Sequence, residues 1–406
     1  MWQSNLKINT RRRWMFVVSA VVAVGAAIIL AVAIPQSTVA ADRSQLADGR
    51  NIFRFDTFGD EQFWTDTLRL NEVIESSLDP LLALELGLKV DAAALPPDLI
   101  EAIRDMDVDL TDPQTTLALI SLDAVVGVIG TVEEADDGRL RLTRVGVTCA
   151  ICHSTVDDSV LPGIGRRRDG WPNLDLDPGR IIALSPAVSA SDKAVYNSWG
   201  PGFYDPRFNI DGLSTPLVIP PAYGLAGVDK ETYTAEGPIS YWNQYVAVTQ
   251  MGGHGSFSDP RLGIRIVQEP DLVKPKLPAL RVYQFSLVSP APPRGSFDPK
   301  AAERGERVFK RQGKCATCHI PPLYTDINLG ILHDPGETGM DPAYARRTTT
   351  GQYRTTPLRA LWQHPPYFHD GSAETLEDVV EHYDGVLELD LTGRQKANLV
   401  EFLKSI

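Results

Sequence analysis

The four cysteines of this chain lie in two five-residue segments of the same pattern. The first pentad is Cys149-Ala150-Ile151-Cys152-His153, and the second pentad is Cys315-Ala316-Thr317-Cys318-His319. In such a segment the two thiols bond to the vinyl groups of a haem, and the histidine that follows binds the iron. The sequence therefore predicts two covalently attached c-type haems. The predicted attachment points are Cys149, Cys152, Cys315 and Cys318, and the predicted proximal iron ligands are His153 and His319.

Other uses of paired cysteines explain less of the pattern. Two Cys-x-x-Cys pairs that share a zinc ion usually lie about 15 to 20 residues apart, and these two pairs lie much farther apart. A thioredoxin-like redox pair or a simple disulfide leaves the histidine after each pair unexplained. Haem attachment accounts for the cysteines and both histidines together.

The N-terminus predicts export. Arg11-Arg12-Arg13 precede an uncharged, mostly apolar stretch from Trp14 to Ile34, and Val39-Ala40-Ala41 follows. This order is typical of a signal peptide, but the stretch also approaches the ~20 residues that span a bilayer. A cleaved signal and a membrane anchor both stay open. In either case we expect the remaining chain in the periplasm or on the outer face of the inner membrane.

Acidic residues outnumber basic ones. The chain has 39 Lys and Arg against 52 Asp and Glu, a net charge of -13. Four of the cations and none of the acids lie in residues 1–41, so the rest carries -17. Such a surface repels phosphate backbones and attracts basic proteins. The charge argues against nucleic-acid binding and favours a small basic redox protein as electron donor or acceptor.

Sequence patterns divide the chain into four segments. They are the export segment 1–41, an N-terminal extension 42–140 of unknown function, a first haem domain 141–288 and a second haem domain 289–406. The last boundary is the proline cluster 289–295, which is typical of an interdomain linker. Apolar spacing predicts helices around 68–88 and 117–128, and the alternation in 139–147 predicts a strand.

The second haem domain shows the clearest local pattern. A helical pattern over 301–311 places Gly305 and Phe309 on one face ahead of the second pentad, and Thr392 is positioned to begin a final helix. A helix, a haem pentad and a closing helix resemble the cytochrome c domain, and the resemblance implies that the two helices cross and clamp the haem. We therefore expect a mainly α fold with two cytochrome c-like haem domains, long irregular loops and a helical N-terminal extension.

Three segments after the second pentad point to a family. They are Tyr353-Arg354-Thr355-Thr356-Pro357-Leu358-Arg359, Pro366-Tyr367-Phe368-His369-Asp370-Gly371-Ser372 and Thr375-Leu376-Glu377-Asp378-Val379-Val380. They resemble the C-terminal domain of bacterial di-haem cytochrome c peroxidases and the related MauG enzymes. The resemblance implies an oxidoreductase in which one haem accepts electrons from a redox protein and the other reacts with hydrogen peroxide. It also implies a calcium ion between the domains, for which the sequence shows no ligand motif.

The sixth iron ligands determine which chemistry is available. Helical phase places Leu376, Val380 and Tyr383 on one face of a helix and turns His382 away from it. The resemblance makes Tyr383 the candidate sixth ligand of the second haem, because peroxidases usually have methionine there and MauG-like enzymes have tyrosine. A core tyrosine with its hydroxyl bonded elsewhere is the alternative.

For the first haem the informative segment is Gln250-Met251-Gly252-Gly253-His254-Gly255, whose glycines would let the backbone approach a flat ring. Met251 and His254 are both candidate ligands, and a displaceable His254 is also a candidate catalytic acid or base. A glycine-rich turn with Met251 in the core is the alternative. Glu236 is the nearest candidate for the family's catalytic glutamate, and no histidine stands between His153 and His254, where typical peroxidases carry one.

Three further residues are candidates for the haem surroundings. Arg354 and Arg359 can pair with haem propionates because a guanidinium suits bidentate contact with a carboxylate; salt bridges on the surface are the alternative. Trp242 is the candidate for the tryptophan that lies between the haems in the family, and a plain core position is its alternative.

Three functions stay open. The first is a catalytic di-haem oxidoreductase of the peroxidase type, and the second is an electron-transfer cytochrome without turnover. The third, less favoured, is a di-haem oxygenase that uses dioxygen. An open or weakly held iron position distinguishes the catalytic functions from the carrier.

Overall fold

The structure, a computed structural model, describes residues 43–406 of the 406-residue chain. The export segment predicted for residues 1–41 lies outside this part. Between residues 43 and 406 no helix combines the length and the apolar character that crossing a bilayer requires.

Helices make up most of the regular structure. In chain order they are α1 Arg43–Phe55, α2 Leu70–Ser77, α3 Pro80–Glu85, α4 Pro97–Arg104, α5 Pro113–Ser121, α6 Ala150–His153, α7 Pro178–Ala183, α8 Ala190–Tyr196, α9 Phe208–Asp211, α10 Ile239–Thr249, α11 Leu277–Ser286, α12 Pro299–Lys310, α13 Pro335–Thr338, α14 Leu376–Val386 and α15 Gly393–Lys404. Thr392 begins α15 as predicted, because its hydroxyl accepts a hydrogen bond from the backbone N–H of Gln395.

The strands of the described region pair two by two. They are β1 Val90–Asp91, β2 Val128–Glu134, β3 Leu140–Val147, β4 Ser154–Val156, β5 Ile164–Gly165, β6 Arg167–Asp169, β7 Phe203–Tyr204, β8 Leu217–Val218, β9 Phe257–Asp259 and β10 Ile264–Ile266. The pairs are β1 with β5, β2 with β3, β4 with β6, β7 with β8, and β9 with β10. β3 confirms the strand predicted for 139–147. The expectation of a helical N-terminal extension is therefore only partly right, because the long hairpin β2–β3 lies within it.

The second haem domain is built on two helices that cross at a glycine. A Cβ atom at Gly305 of α12 would lie 1.9 Å from the carbonyl oxygen of Asn398 in α15, so only glycine permits this approach. Phe309, one turn further along α12, makes an edge-on contact with Phe402 of α15 at 5.1 Å between ring centroids. The crossing implied by the cytochrome c resemblance is present.

The first half of the chain repeats this crossing with helices that are far apart in sequence. A Cβ atom at Gly49 of α1 would lie 2.0 Å from the carbonyl oxygen of Ala279 in α11. Phe53, one turn after Gly49, contacts Tyr283 of α11 at 5.5 Å between ring centroids. The helix that opens the first haem unit is thus α1, and residues 56–148 are inserted between it and the first pentad.

The hydrophobic cores extend across one of the predicted segment boundaries and not across the other. One hydrophobic core runs from Phe53 to Tyr283 and includes side chains from the extension and from the first haem domain alike. A second core runs from Val308 to Leu403. The boundary placed at residue 140 therefore does not separate two cores, whereas the one placed at 289 lies between them.

Candidate functional site

The first pentad follows directly after β3 and forms the short helix α6. Thr148 fixes its start, because the threonine hydroxyl donates to the carbonyl of Arg54 at the end of α1 and accepts from the N–H of Ala150. Gly127, with φ +79°, lies so close to Ile151 that a Cβ atom there would fall 2.1 Å from the Ile151 nitrogen. Both α1 and the hairpin therefore hold the pentad in place.

His153 is oriented as an iron ligand has to be. Its Nδ1 lies 3.1 Å from the carbonyl oxygen of Pro220, which can only accept, so Nδ1 carries the proton and Nε2 keeps a free lone pair. Burial lowers the pKa of His153 to about 4, so the ring is neutral at pH 7. The backbone N–H groups of Gly170 and Asn173 bind the carbonyls of His153 and Cys152.

His319 in the second pentad has the same arrangement. Its Nδ1 lies 3.0 Å from the carbonyl oxygen of Tyr324, and burial lowers its pKa. The imidazole packs near Phe309 of α12, at 6.4 Å between ring centroids. In both pentads the histidine thus presents Nε2 as the free nitrogen, which is the donor that a haem iron requires.

Tyr383 lies on the α14 face predicted for it. Burial raises the pKa of Tyr383 to about 12, and the nearby thiols of Cys315 and Cys318 add to that increase. His382 points elsewhere, since its Nε2 donates to the carbonyl of Thr338 at 2.8 Å. The structure thus places Tyr383 beside the second pentad, and its ligation of the iron stays a prediction.

The glycine-rich turn after α10 packs against protein rather than presenting an open surface. Cβ atoms at Gly252 and Gly255 would lie 2.5 Å from Phe63 and 2.7 Å from Val273. These contacts account for the glycines at both positions, and the approach of the turn to a haem ring stays a prediction.

The two candidate ligands in this turn make backbone contacts. The carbonyl of Met251 accepts from the indole N–H of Trp64 at 2.8 Å, and Met251 is buried in the large core. The backbone N–H of His254 binds the carbonyl of Phe58. Iron ligation by Met251 or His254, and catalysis by His254, stay predictions.

Glu236 is held in a buried ion pair. Its Oε2 accepts from Arg207 at 2.5 Å and from Thr234, and its Oε1 accepts from the backbone N–H of Thr349 at 3.0 Å. Both oxygens are therefore occupied in joining the two halves of the chain. This gives Glu236 a structural role, and the catalytic role remains a prediction.

The two candidate propionate arginines differ in their partners. Arg354 pairs with the buried Glu231 at 3.0 Å. Arg359 forms no ion pair within residues 43–406; its Nη1 lies 3.4 Å from the carbonyl of Tyr223, and burial lowers its pKa to about 10. A buried guanidinium without a carboxylate is costly unless an anion joins it. Arg359 is thus suited to pair with a haem propionate, whereas Arg354 already pairs with the carboxylate of Glu231.

These observations together test whether the chain suits two c-type haems. Each pentad offers two cysteines without a disulfide and one neutral imidazole whose Nε2 is free. Arg359 adds an unpaired buried cation between the two halves. The residues present therefore fit two covalently attached c-type haems.

The described residues offer little to a calcium ion. The group of potential metal ligands found close together in residues 43–406 is Cys318, Asp326 and His333. Calcium prefers six to eight oxygen ligands, and Cys318 is a predicted haem attachment point. Calcium binding stays a prediction.

Trp242 lies in the first core rather than at the boundary between the halves. It contacts Tyr241 and Tyr245 of the same helix, α10. The tryptophans that do meet across the two halves are Trp171 and Trp362, at 5.9 Å between ring centroids and 81° between planes. The bridging role of Trp242 between the haems stays a prediction.

Two buried residues near the first pentad carry no sequence motif. Asp60, fully buried, lies next to Gly146 and Val147, and burial raises its pKa to about 9. Tyr204 donates to Gln250 and lies near Cys152, whose charge adds to the rise that burial causes in the pKa of Tyr204. Both approach the pentad from distant segments, so only the three-dimensional structure reveals them.

Comparison with known proteins gives a consistent set of relatives. No protein-family model matches the chain. A methylamine utilization protein MauG of Methylorubrum extorquens is 29% identical over 295 residues, which cover 66% of this chain and 74% of that protein.

Two peroxidases match shorter parts. A cytochrome-c peroxidase of Denitromonas iodatirespirans is 28% identical over 32% of this chain and 48% of its own length. A cytochrome c551 peroxidase of Nitrosomonas europaea is 32% identical over 25% of this chain and 33% of its own length. This chain therefore aligns with half or less of these two peroxidases. The resemblance read from the motifs is confirmed.

Proposed function

Because this chain is related to the bacterial di-haem cytochrome c peroxidase and MauG family, we propose that it is an exported oxidoreductase with two covalent c-type haems. Electrons enter from a small basic redox protein at the second haem unit, and hydrogen peroxide is reduced at the first. The observation that carries the proposal is the pair of matched pentads, in which a backbone carbonyl binds Nδ1 of the histidine and leaves Nε2 free.

The protein surrounds the two proposed haems, which are chemically identical, with different residues. When bound, haem iron supplies one-electron chemistry and a site for peroxide. Tyr383 is available to close the second site, because its side chain is buried beside Cys315 and Cys318. Met251 and His254 remain the candidate ligands of the first site, where the proposal requires an open or displaceable position.

Other residues position the groups and balance charge. Arg359 supplies a buried positive charge for a propionate at the boundary between the halves, since no carboxylate of residues 43–406 pairs with it. Trp171 follows Gly170, which binds the His153 carbonyl, and Trp362 follows Leu361, which packs in the second core. We take this tryptophan pair as the route for electrons between the two sites.

A second candidate is oxidation of a partner protein without peroxidase turnover, as the MauG resemblance implies. The residue that favours it is Tyr383, because tyrosine rather than methionine stands at this position in MauG-like enzymes. A carrier without catalysis is the third candidate.

Electron paramagnetic resonance of the oxidised and half-reduced protein tests the proposal, followed by addition of hydrogen peroxide. A high-spin signal that disappears with peroxide, with steady consumption of reduced cytochrome, supports peroxidase function. Reaction with peroxide without consumption of reduced cytochrome supports oxidation of a partner. Two low-spin signals that do not respond to peroxide in either redox state support the carrier and contradict the proposal.

A further inference from the structure

The insertion between α1 and the first pentad surrounds a cavity of about 110 Å³. Its wall is formed by side chains of α2 to α5 and of strands β1 to β3, with Leu119, Val128 and Val147 among them. The second haem unit has only Arg311 to Lys314 between its opening helix and its pentad, so it has no corresponding insertion.

No polar atom contributes surface to this cavity. A buried water needs two to four polar partners, and Thr115 and Thr116 are the polar residues in a wall that is otherwise hydrophobic. The Thr116 hydroxyl is itself buried and without a hydrogen-bond partner. Because that hydroxyl is buried and exposes no surface to the cavity, a water inside would find at most one partner rather than the two to four it needs, and we expect the cavity to be dry.

The size of the cavity suits a small molecule. A cavity of about 150 Å³ lined by Leu, Ile and Phe stays dry and binds benzene or xenon. At about 110 Å³ this one is large enough for a xenon atom or a diatomic gas. Hydrogen peroxide would lose its hydrogen bonds to water on entry and find no polar surface to replace them, so its entry is strongly disfavoured.

The position of the cavity connects it to the first haem-attachment segment. Ile151, which stands between Cys149 and Cys152, forms part of the wall. Val145 and Val147 of β3, the strand that leads into the pentad, also line it. A molecule in the cavity would therefore lie directly behind the first pentad.

We infer that this cavity is a binding site for a small apolar molecule of the size and polarity of dioxygen, and that it excludes hydrogen peroxide. The inference concerns binding alone and does not depend on the reaction proposed for the haems. It gives the insertion a function that the second haem unit lacks.

Xenon is the first probe, because it is apolar, of similar size to dioxygen and easily located. Crystals of the holoprotein under xenon pressure are expected to show a xenon atom among Leu119, Val128 and Ile151. Xenon titration followed by xenon NMR is expected to show one site in solution. Absence of xenon from the cavity in both measurements would overturn the inference.

Two variants change the cavity in opposite directions. Ala83→Leu adds three carbons to a cavity wall and is expected to weaken xenon binding at least tenfold without lowering the melting temperature. Leu119→Ala removes side-chain atoms from the wall and is expected to strengthen binding, which keeps the test valid if the first variant fails to fold. Xenon binding that is unchanged in both variants contradicts the site.

The matched control is Ala345→Leu, at a fully buried alanine outside the cavity. It adds the same atoms where no space exists, so it is expected to lower the melting temperature and leave xenon binding unchanged. Dioxygen itself is tested by its paramagnetism: it should broaden the methyl signals of Ile151 and Leu119 more than those of Leu399 in the second core. Equal broadening would show that dioxygen does not collect in the cavity.

Discussion

The two haem units share one construction and differ in what lies between helix and pentad. In the second unit α12 leads into the pentad after four residues, whereas in the first unit residues 56–148 intervene between α1 and the pentad. The helix pairs are nevertheless alike. Gly49 and Gly305 each meet a carbonyl of the closing helix, and Phe53 and Phe309 each contact an aromatic ring of that helix at a steep angle.

This difference shows that the two crossing helices of a haem unit can be held in contact when the opening helix and the pentad are far apart in the sequence. The entropy cost of closing a loop rises only slowly with loop length, so a long insertion is tolerated when the helix contact itself is strong. The insertion also brings its own core, which merges with that of the first unit. It thereby adds a cavity to the first haem site, and a buried acid, Asp60, that forms no ion pair within residues 43–406. The buried acid near the second pentad, Asp326, pairs with His333 instead.

The strongest test of the comparison removes each haem separately. In a Cys149→Ala/Cys152→Ala variant we expect one covalent haem per chain instead of two. The second pentad and its helix pair, α12 and α15, have their own core and should still attach a haem. The Cys315→Ala/Cys318→Ala variant is its counterpart and should also keep one haem. Haem content is measured as the pyridine haemochrome per mole of protein. A variant that keeps both haems or loses both would show that the units are not independent.

The next test addresses the two glycines. Gly49→Ala and Gly305→Ala each place a Cβ atom within 2.0 Å of a backbone oxygen, so each should lower the free energy of unfolding by about 1 to 3 kcal/mol or more through forced helix separation. Denaturant unfolding measures the loss.

Gly385→Ala serves as the control, because Gly385 lies in α14 with nothing within 4 Å of the added atom. Alanine is the better helix former by roughly 0.5 to 1 kcal/mol, so this variant should be slightly more stable. If Gly49→Ala were as mild as Gly385→Ala, α1 would not be the counterpart of α12.

Much of the second unit could be predicted from the sequence, and less of the first. The helix at 301–311, the Thr392 cap and the face of Tyr383 were all local patterns, and each is present. The role of α1 was missed because its partner α11 lies more than two hundred residues away.

A signal for α1 did exist in the sequence. Gly49-Arg50-Asn51-Ile52-Phe53 has the same spacing of glycine, aliphatic residue and phenylalanine as Gly305-Glu306-Arg307-Val308-Phe309. The surroundings of Glu236, Asp60 and Arg359 had no such signal, because burial and ion pairing depend on distant segments.

Tyr383→Phe tests whether the second site is closed as we propose. We expect a change in the spectrum and in the electron paramagnetic resonance signal of one haem, because the variant removes the only oxygen of that side chain. His382→Ala should leave the same signals unchanged, since His382 binds the Thr338 carbonyl instead. Unchanged signals in Tyr383→Phe would remove the tyrosine as a ligand and weaken the contrast between the two sites.

The next prediction tests whether the contact between Trp171 and Trp362 carries electrons between the two haem units. Trp171→Phe and Trp362→Phe should slow electron exchange between the haems about tenfold, equivalent to about 1.4 kcal/mol of barrier, if this pair carries the electron. Trp242→Phe is the matched control, because Trp242 contacts residues of its own helix. Flash photolysis of the half-reduced protein measures the rate. A larger effect in the control would return the bridging role to Trp242.

Asp60→Asn tests the buried acid of the first unit, which forms no ion pair within residues 43–406, whereas Asp326 of the second unit pairs with His333. Because burial raises the pKa of Asp60 to about 9, the folded protein holds a proton there that the unfolded chain releases above its ordinary pKa of about 4. The folded state therefore binds more protons between these values, and its stability falls as pH rises, by up to about 1.4 kcal/mol per pH unit. Asparagine is neutral at every pH, so the variant should lose this slope and unfold at a higher temperature than the wild type at pH 8. Thermal unfolding of the holoprotein from pH 5 to 9 measures both effects, and an unchanged slope would show that Asp60 is ionised in the folded protein.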